Sequence, residues 1–118
     1  MSTRDTSALL VRFAQAAKHQ WEMISAGDSE GANRAFAEYT AIYSELKRRG
    51  PAYQARLTEL LGDLSPAVRM AAAGLALEFD PKRAEFVLEE VSKEQRTLGF
   101  NARILLEEWR AGRLEFPS

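Results

Sequence analysis

The stretch SPAVRMAAAGLALEF, residues 65–79, decides the fold class of this chain. Ser65 is a typical N-cap residue and Pro66 suits the first turn of a helix, so together they predict a helix that begins here. Only Arg69 and Glu78 interrupt a surface that is otherwise apolar on every side. Helices of this kind are buried between neighbours. The stretch therefore predicts a core helix with other helices packed around it.

A glycine inside this helix, Gly74, costs about 1 kcal/mol relative to alanine. It follows three alanines at 71–73. Because small side chains let helices approach one another, the sequence predicts a close helix–helix contact at Gly74 that offsets this cost.

Helical signals continue outward along the chain in both directions. Ala, Leu, Glu and Arg recur, and no stretch alternates apolar with polar residues as a half-buried strand would. The clearest helix boundaries are Gly27–Asp28, Gly50–Pro51 and Asp80–Pro81, where glycine, capping residues and proline meet. We predict an all-α chain of about six helices, at 7–26, 28–49, 52–61, 66–79, 82–96 and 98–111.

The first two helices carry apolar residues at helical spacing, which predicts that one face of each packs into the core. The stripe on the first helix consists of Leu10, Phe13, Ala17, Trp21 and Ile24, and that on the second of Ala32, Phe36, Tyr39, Tyr43 and Leu46.

The composition excludes several kinds of site and partner. The chain has 118 residues, no cysteine and one histidine, which excludes disulfides, thiolate zinc sites and His-rich metal sites. Its formal net charge of −1 argues against nucleic acid or a membrane surface as the main partner, despite the basic run at 47–49. The longest apolar run, Met70–Leu77, is too short to span a bilayer, and the first residues lack a signal-peptide pattern. We therefore expect one cytoplasmic domain, residues 1–118, without a metal or a cofactor.

The second half of the chain resembles itself at an offset of 31 residues. Residues of similar type recur at this distance: Leu57, Glu59, Leu60, Ala71 and Leu75 correspond to Leu88, Glu90, Val91, Ala102 and Leu106. Stacked helix pairs of this size are typical of an α-solenoid.

Residues 60–73, LLGDLSPAVRMAAA, resemble the core of a HEAT repeat, which typically has an aspartate before the turn and Val-Arg-x-Ala-Ala after it. Asp63 and Arg69 match the two polar positions that help to lock neighbouring repeats in that family, so the resemblance implies a structural role for both. It also implies a HEAT-like solenoid, a short right-handed α-α superhelix of three antiparallel hairpins. The implied divisions are a long hairpin at 7–49, two HEAT-like hairpins at 51–112 and a tail at 113–118.

Nearly the whole chain is similar to a family of small bacterial proteins that have a HEAT-like fold and no assigned activity. The similarity rests on Asn33–Arg34, Glu45–Gly50, Val68–Arg69 and Glu108–Gly112. It implies a fold and little else, because a fold does not determine a function. Some small HEAT-like proteins are toxin-neutralising immunity proteins, which makes that role one expectation for this chain.

The second helix carries the most prominent polar feature of the sequence. Arg34, Glu38 and Glu45 lie within about 40° of one another on a helical wheel, with Arg49 close by, and Arg48 of the basic run joins them in the candidate interaction surface. The spacing of Arg34–Glu38 and of Glu45–Arg49 suits ion pairs. This stripe is either a solvated, salt-bridged face or the charged rim of a binding surface.

Two aromatic residues of the last helices complete the candidate interaction surface. Phe86 lies about 130° from the centre of the core stripe of its helix, and the final helix, which carries Trp109, spreads apolar residues around much of its circumference. Either the tail covers this excess, with Leu114 and Phe116 folded back, or a partner or second copy does. Trp109 itself is more typical of a core residue than of a contact.

The sequence has no pattern of a catalytic site. We predict that His19 lies on the exposed side of the first helix, and no phosphate-binding loop, dinucleotide motif or nucleophile elbow is present. A pocket lined by the hydroxyls of Tyr39 and Tyr43 would instead favour an enzyme. We expect a non-enzymatic protein-interaction module. The alternative is a protein that self-associates through its C-terminal helix, and a motif-less enzyme or a nucleic-acid binder is the remaining interpretation.

Overall fold

A computed structural model describes residues 3–118, which form six α-helices, one 3₁₀ helix and no strand. The predicted all-α fold class is confirmed. In chain order the elements are α1 Thr3–Ser25, α2 Ser29–Arg49, α3 Pro51–Ala55, the 3₁₀ helix Arg56–Gly62, α4 Pro66–Ala76, α5 Pro81–Val91 and α6 Arg96–Arg110. No helix in this part of the chain combines the length and the apolar character that crossing a membrane requires.

The chain divides into two compact units, which we describe separately. The N-terminal unit runs as far as Leu57 and includes Pro117–Ser118, and the C-terminal unit is Thr58–Phe116. In the N-terminal unit α1 packs against α2. Its largest buried side chains come from both helices: Leu10, Phe13, Tyr39, Tyr43 and Leu46.

The predicted boundary between α1 and α2 is confirmed. Gly27 adopts a φ of 75°, in the left-handed region that glycine enters without steric cost. Asp28 then caps α2, because its Oδ1 accepts a hydrogen bond from the backbone N–H of Gly31 at 2.8 Å.

The predicted apolar stripes of this unit extend beyond its core. Ile24 is 37% exposed and Phe36 is 49% exposed, so neither is a core residue. The ring of Phe36 instead packs edge-on against Tyr39, with ring centroids 5.3 Å apart. Two packed helices bury only the side chains along their line of contact, which explains why stripe positions farther from that line remain in solvent.

In the C-terminal unit α4 packs against α5 and α6, and α5 packs against α6. The prediction that α4 is buried on nearly all sides is confirmed, since its buried residues are Ala67, Val68, Met70, Ala71, Ala72, Ala73, Leu75 and Ala76. Ser65 is its N-cap, and Pro66 opens its first turn as expected.

Several predicted helix boundaries are wrong. α1 begins at Thr3 rather than at Ser7, and α6 begins at Arg96 rather than at Leu98. The helix predicted at 52–61 is a short α-helix followed by the 3₁₀ helix, and α4 ends at Ala76 rather than Phe79. α5 ends at Val91 instead of continuing to about Arg96. There the hydroxyl of Ser92 donates to the Glu89 carbonyl at 2.6 Å, a local bond that competes with helix continuation.

Gly74 lies beside Leu105 of α6, but that packing does not require a glycine, whereas the close approach at Gly99 does. A β-carbon at Gly74 would lie 3.5 Å from Leu105 Cδ1, an ordinary van der Waals distance. A β-carbon at Gly99, by contrast, would overlap the backbone of Glu94. Gly99 therefore lets the first turn of α6 pack directly on the turn that follows α5.

Asp80 does not act as the predicted side-chain cap of α5. It occupies the N-cap position, but its side chain makes no capping hydrogen bond. Its Oδ2 lies 3.7 Å from Nη1 of Arg83 instead. This leaves the beginning of α5 without the cap that α2 and α4 have.

Candidate interaction surface

Within the described part of the chain, the charged stripe of α2 is exposed and unpaired at its N-terminal end and ion-paired at its C-terminal end. Arg34 and Glu38 are exposed, and within residues 3–118 they form no ion pair with each other, contrary to the predicted spacing rule. Glu45 accepts from Nε of Arg49 at 2.9 Å, which confirms the second predicted pair, and Arg48 also bonds Glu45. Sequence spacing allows such pairs, but long exposed side chains gain little from forming them.

Arg49 is held inside the N-terminal unit. Its side chain is only 15% exposed, and its Nη1 is buried without a hydrogen-bond partner among the described residues. Nearby, Nζ of Lys47 donates to the carbonyl of Pro117 at 2.7 Å and lies 5.6 Å from the centre of the Tyr43 ring. This end of the stripe is therefore engaged in contacts within its own unit.

Glu38 instead borders a polar groove of about 510 Å³ in the N-terminal unit. The groove is lined by Gln15, Ala16, Lys18, His19, Glu22 and Glu38. His19 is exposed, as predicted, and its Nδ1 lies 3.6 Å from Glu22. No group of three or more metal-ligating side chains suited to an ion occurs among residues 3–118, and this groove is no exception.

Tyr39 and Tyr43 are buried inside the N-terminal unit. The Tyr39 hydroxyl donates to Gln20 at 3.2 Å, and the Tyr43 hydroxyl accepts from Gln54 at 2.9 Å. Burial raises the pKa of Tyr39 above its ordinary value, and the Gln20 bond opposes the rise in part. Hydroxyls that are buried and hydrogen-bonded in this way serve the packing of the unit.

Asp63 and Arg69 organise the turn that precedes α4. Oδ2 of Asp63 accepts from the backbone N–H of Ser65 at 2.9 Å. Nη1 of Arg69 donates to the carbonyls of Asp63 and Leu64, at 2.6 and 3.2 Å. These contacts lie within the turn itself, and the locking of neighbouring repeats by the same two residues stays a prediction.

Phe86 lies on one of three distinct faces of α5. The first face is buried in the unit and carries Ala84, Leu88 and Val91. The second carries Glu85 and Glu89, whose carboxylates lie 3.6 and 2.6 Å from the guanidinium of Arg110 in α6. The third face carries Phe86, which is 64% exposed.

The third face of α5 forms one wall of an open groove with a volume of about 430 Å³, which we call the Phe86 groove. It is lined by Leu61, Gly62, Lys82, Arg83, Phe86 and Val87. Four of these residues are apolar and two are cationic, and both cations belong to the first turn of α5. The groove thus combines an apolar wall with positive charge at one end.

The amino-acid sequence points to Phe86 but not to the other residues of this groove. The cations were detectable in principle, because Phe86 follows Arg83 by three residues and Lys82 by four, and side chains at these spacings are neighbours on a helix. Leu61 and Gly62 come from a different element, the 3₁₀ helix, and no local pattern relates them to α5. Only the packing of the C-terminal unit brings them together.

Trp109 is partly covered by the tail. The ring of Phe116 meets it edge-on, with centroids 6.2 Å apart. Arg113 donates to both carboxylate oxygens of Glu108, at 3.0 and 2.9 Å, and this bond lowers the pKa of that carboxyl. The tail leaves other apolar residues of α6 uncovered, because Phe100 is 56% exposed and Ile104 is 37% exposed.

Of the predicted interaction residues, the structure therefore brings together Glu45, Arg48 and Arg49, since both arginines bond Glu45. It leaves Phe86 exposed beside two cations and places Trp109 under the tail. Comparisons of the chain with models of protein families, with curated proteins and with solved structures give no match.

Proposed function

We propose that this chain is a non-enzymatic protein-binding module built from HEAT-like helix pairs, and that the Phe86 groove is its contact surface. One observation carries the proposal. Phe86 exposes 64% of its area, whereas Leu88, on the buried face of the same helix, exposes none. A large aromatic side chain in a groove, with cations at its edge, is the kind of residue that dominates binding energy in protein interfaces.

The HEAT-like part of the proposal is supported by the C-terminal unit. A turn stabilised by Asp63 and Arg69 leads into α4, which packs against α5 after a connection of only a few residues. Short connections between packed helices are typical of helical repeats. Binding surfaces of such proteins lie on the helices themselves, as the Phe86 groove does.

Site-specific photo-cross-linking tests the proposed function. A cross-linking phenylalanine analogue replaces Phe86 in cells that naturally produce the chain, and a matched variant carries it at Arg12, an exposed position of α1. We expect a discrete protein adduct from position 86, identifiable by mass spectrometry, and none of the same mass from position 12. The same adducts from both positions, or none from position 86, would contradict the proposal.

A second candidate function is self-association through α6. It is favoured by Phe100 and Ile104, which are one helical turn apart and both exposed even though the tail is folded onto Trp109. Burying such a pair against its own copy would remove apolar area from water. Light scattering over a range of concentrations tests it. We expect a dimer that Phe100→Glu dissociates, and a strict monomer at every concentration would reject this candidate.

A further inference from the structure

We propose that the Phe86 groove binds an acidic segment of a partner protein, which places an apolar side chain against Phe86 and carboxylates beside Lys82 and Arg83. This inference rests on the proposed function and adds the chemistry of the partner. It follows from the shape of the groove, from the uncompensated charge at one end of it and from the position of the acidic residues nearby.

The apolar part of the groove accommodates a side chain of the partner. Leu61 and Val87 flank Phe86, and Gly62 adds no side chain of its own. A β-carbon at Gly62 would meet no atom within 4 Å, so the space beside it is open. An apolar side chain that enters this space covers Phe86 and is itself removed from water.

The charged part of the groove attracts carboxylates. Lys82 has no ion-pair partner among residues 3–118. Arg83 lies 3.7 Å from Asp80, but its side chain remains 60% exposed and retains hydrogen-bonding capacity towards solvent. The described lining of the groove thus carries two cations and no carboxylate.

The acidic residues of α5 do not cancel this charge from within the groove. Glu85 and Glu89 point to the second face of the helix, where both lie beside Arg110. The third acid, Glu90, lies 3.2 Å from Nζ of Lys93. On α5, Glu85 and Glu89 therefore face Arg110 of α6, whereas Lys82 and Arg83 line the groove.

A segment of protein fits these features better than a nucleic acid does. Two cations release few counterions when they meet a phosphate backbone, and the chain as a whole carries a net charge of −1. An amphipathic peptide, in contrast, satisfies the apolar wall and the cationic end together.

The test measures the binding of defined peptides to the full chain by fluorescence anisotropy, with amide chemical-shift mapping to locate the site. The probe is a fluorescein-labelled peptide of alternating glutamate and leucine. One comparison peptide has lysine for every glutamate, and another has serine for every leucine. We expect only the glutamate–leucine peptide to bind, to shift the amides of residues 61–62 and 82–87, and to bind more weakly as salt rises.

Three variants of the groove and one control separate the contributions of its parts to binding. Phe86→Ala removes the exposed ring, Gly62→Phe fills the open space, and the double variant Lys82→Glu with Arg83→Glu reverses the charge. We expect each to weaken binding about tenfold or more. The control, Arg12→Glu with Lys18→Glu, changes the net charge equally at exposed positions of α1, and we expect a change of less than about twofold. Circular dichroism shows that each variant is folded.

Several results would overturn the inference. In the peptide assay these are equal binding of the lysine peptide, unchanged binding to the charge-reversed variant, and chemical-shift changes located away from the groove. Tighter binding of a single-stranded oligonucleotide, or a self-association that Phe86→Ala abolishes, would also overturn it. A protein adduct at position 86 together with no binding of the acidic peptide rejects this inference and leaves the proposed function standing. The absence of any protein adduct, with the acidic peptide bound at the groove, rejects the proposed cellular function instead.

Discussion

Gly99 lies against the backbone carbonyl of Glu94, so closely that a β-carbon at position 99 would overlap it. The turn that contains Glu94 is fixed at its other end, where the Ser92 carbonyl accepts from Nη1 of Arg103 at 2.6 Å. Arg96, the first residue of α6, adopts a φ of 66°, which is uncommon for a residue with a side chain. The connection from α5 to α6 therefore depends on the missing side chain of Gly99.

Alanine at the two helical glycines of the C-terminal unit has opposite expected effects. We expect Gly99→Ala to destabilise the protein by about 2 kcal/mol or more, because the turn must move. Gly74→Ala places its methyl group at an ordinary distance from Leu105, so we expect no loss and a gain of up to about 1 kcal/mol from helix propensity. Urea unfolding of the parent and both variants measures the difference. Equal losses from the two substitutions would show that our account of Gly74 is wrong.

The two aspartates at N-cap positions are also expected to differ in their effect on stability. Asp28 caps α2 through a hydrogen bond, whereas the side chain of Asp80 makes none at the start of α5. We expect Asp28→Ala to reduce the free energy of unfolding by about 1 kcal/mol and Asp80→Ala to change it by less than about 0.5 kcal/mol. Thermal unfolding of both variants is the measurement, and a larger loss from Asp80→Ala than from Asp28→Ala would contradict it.

Arg69 is expected to stabilise the turn before α4. Its replacement in Arg69→Met leaves the carbonyls of Asp63 and Leu64 without their charged donor, which we expect to cost about 1–3 kcal/mol. Lys93→Met is the control, since Lys93 makes only an exposed ion pair with Glu90 and contributes little. Denaturant unfolding compares the two, and indistinguishable values would show that the turn forms without Arg69.

The contact between Trp109 and Phe116 is observable by fluorescence. In a Trp21→Phe background, Trp109 is the single remaining tryptophan. We expect Phe116→Ala to shift its emission to longer wavelength, because the tail no longer shields the indole from water. Phe100→Ala removes an aromatic ring of the same helix that remains exposed, and we expect it to leave the emission unchanged. A shift of equal size in both variants would show that the tail does not cover Trp109 in solution.

Tyr39 gives the fold a dependence on alkaline pH. Its pKa is raised in the folded state, chiefly by burial, so its contribution to stability is complete below the unfolded pKa of about 10 and is lost as pH rises further. Tyr39→Phe removes the ionisable group together with its bond to Gln20. We expect the parent to lose stability relative to this variant above about pH 10. Unfolding curves at neutral and alkaline pH test this, and a constant difference between the two proteins would contradict it.

Sequence patterns predicted the helices best where a helix is buried or capped by its own neighbours in the chain. The apolar surface of α4 and the cap at Asp28 are both confirmed, because burial and capping at these places depend on residues a few positions apart. The patterns failed at Asp80, where the side chain turned to Arg83 instead, and at the end of α5, where a serine hydroxyl competes with the helix. A local rule cannot rank two local partners of similar energy.

The candidate surface was likewise predicted only in part. Its aromatic residue, Phe86, was identified from the helical wheel alone. The other residues of the groove were not, and Arg49, which the wheel placed on a charged face open to solvent, is largely buried. Spacing along one helix gives the direction of a side chain, but the neighbouring element decides whether that direction leads to solvent.

Residue types at helical spacing are enough to predict that this protein is all-α, that α4 lies in the core and that Phe86 lies off the core stripe. Tertiary structure alone decided that Gly99 rather than Gly74 permits a close approach, that Phe116 covers Trp109, and that Leu61 and Gly62 complete the Phe86 groove. Leu61 and Gly62 lie far from Phe86 in sequence, and the other two contacts join α6 to the turn before it and to the tail after it. All of them depend on how separate elements pack rather than on the preferences of any one helix.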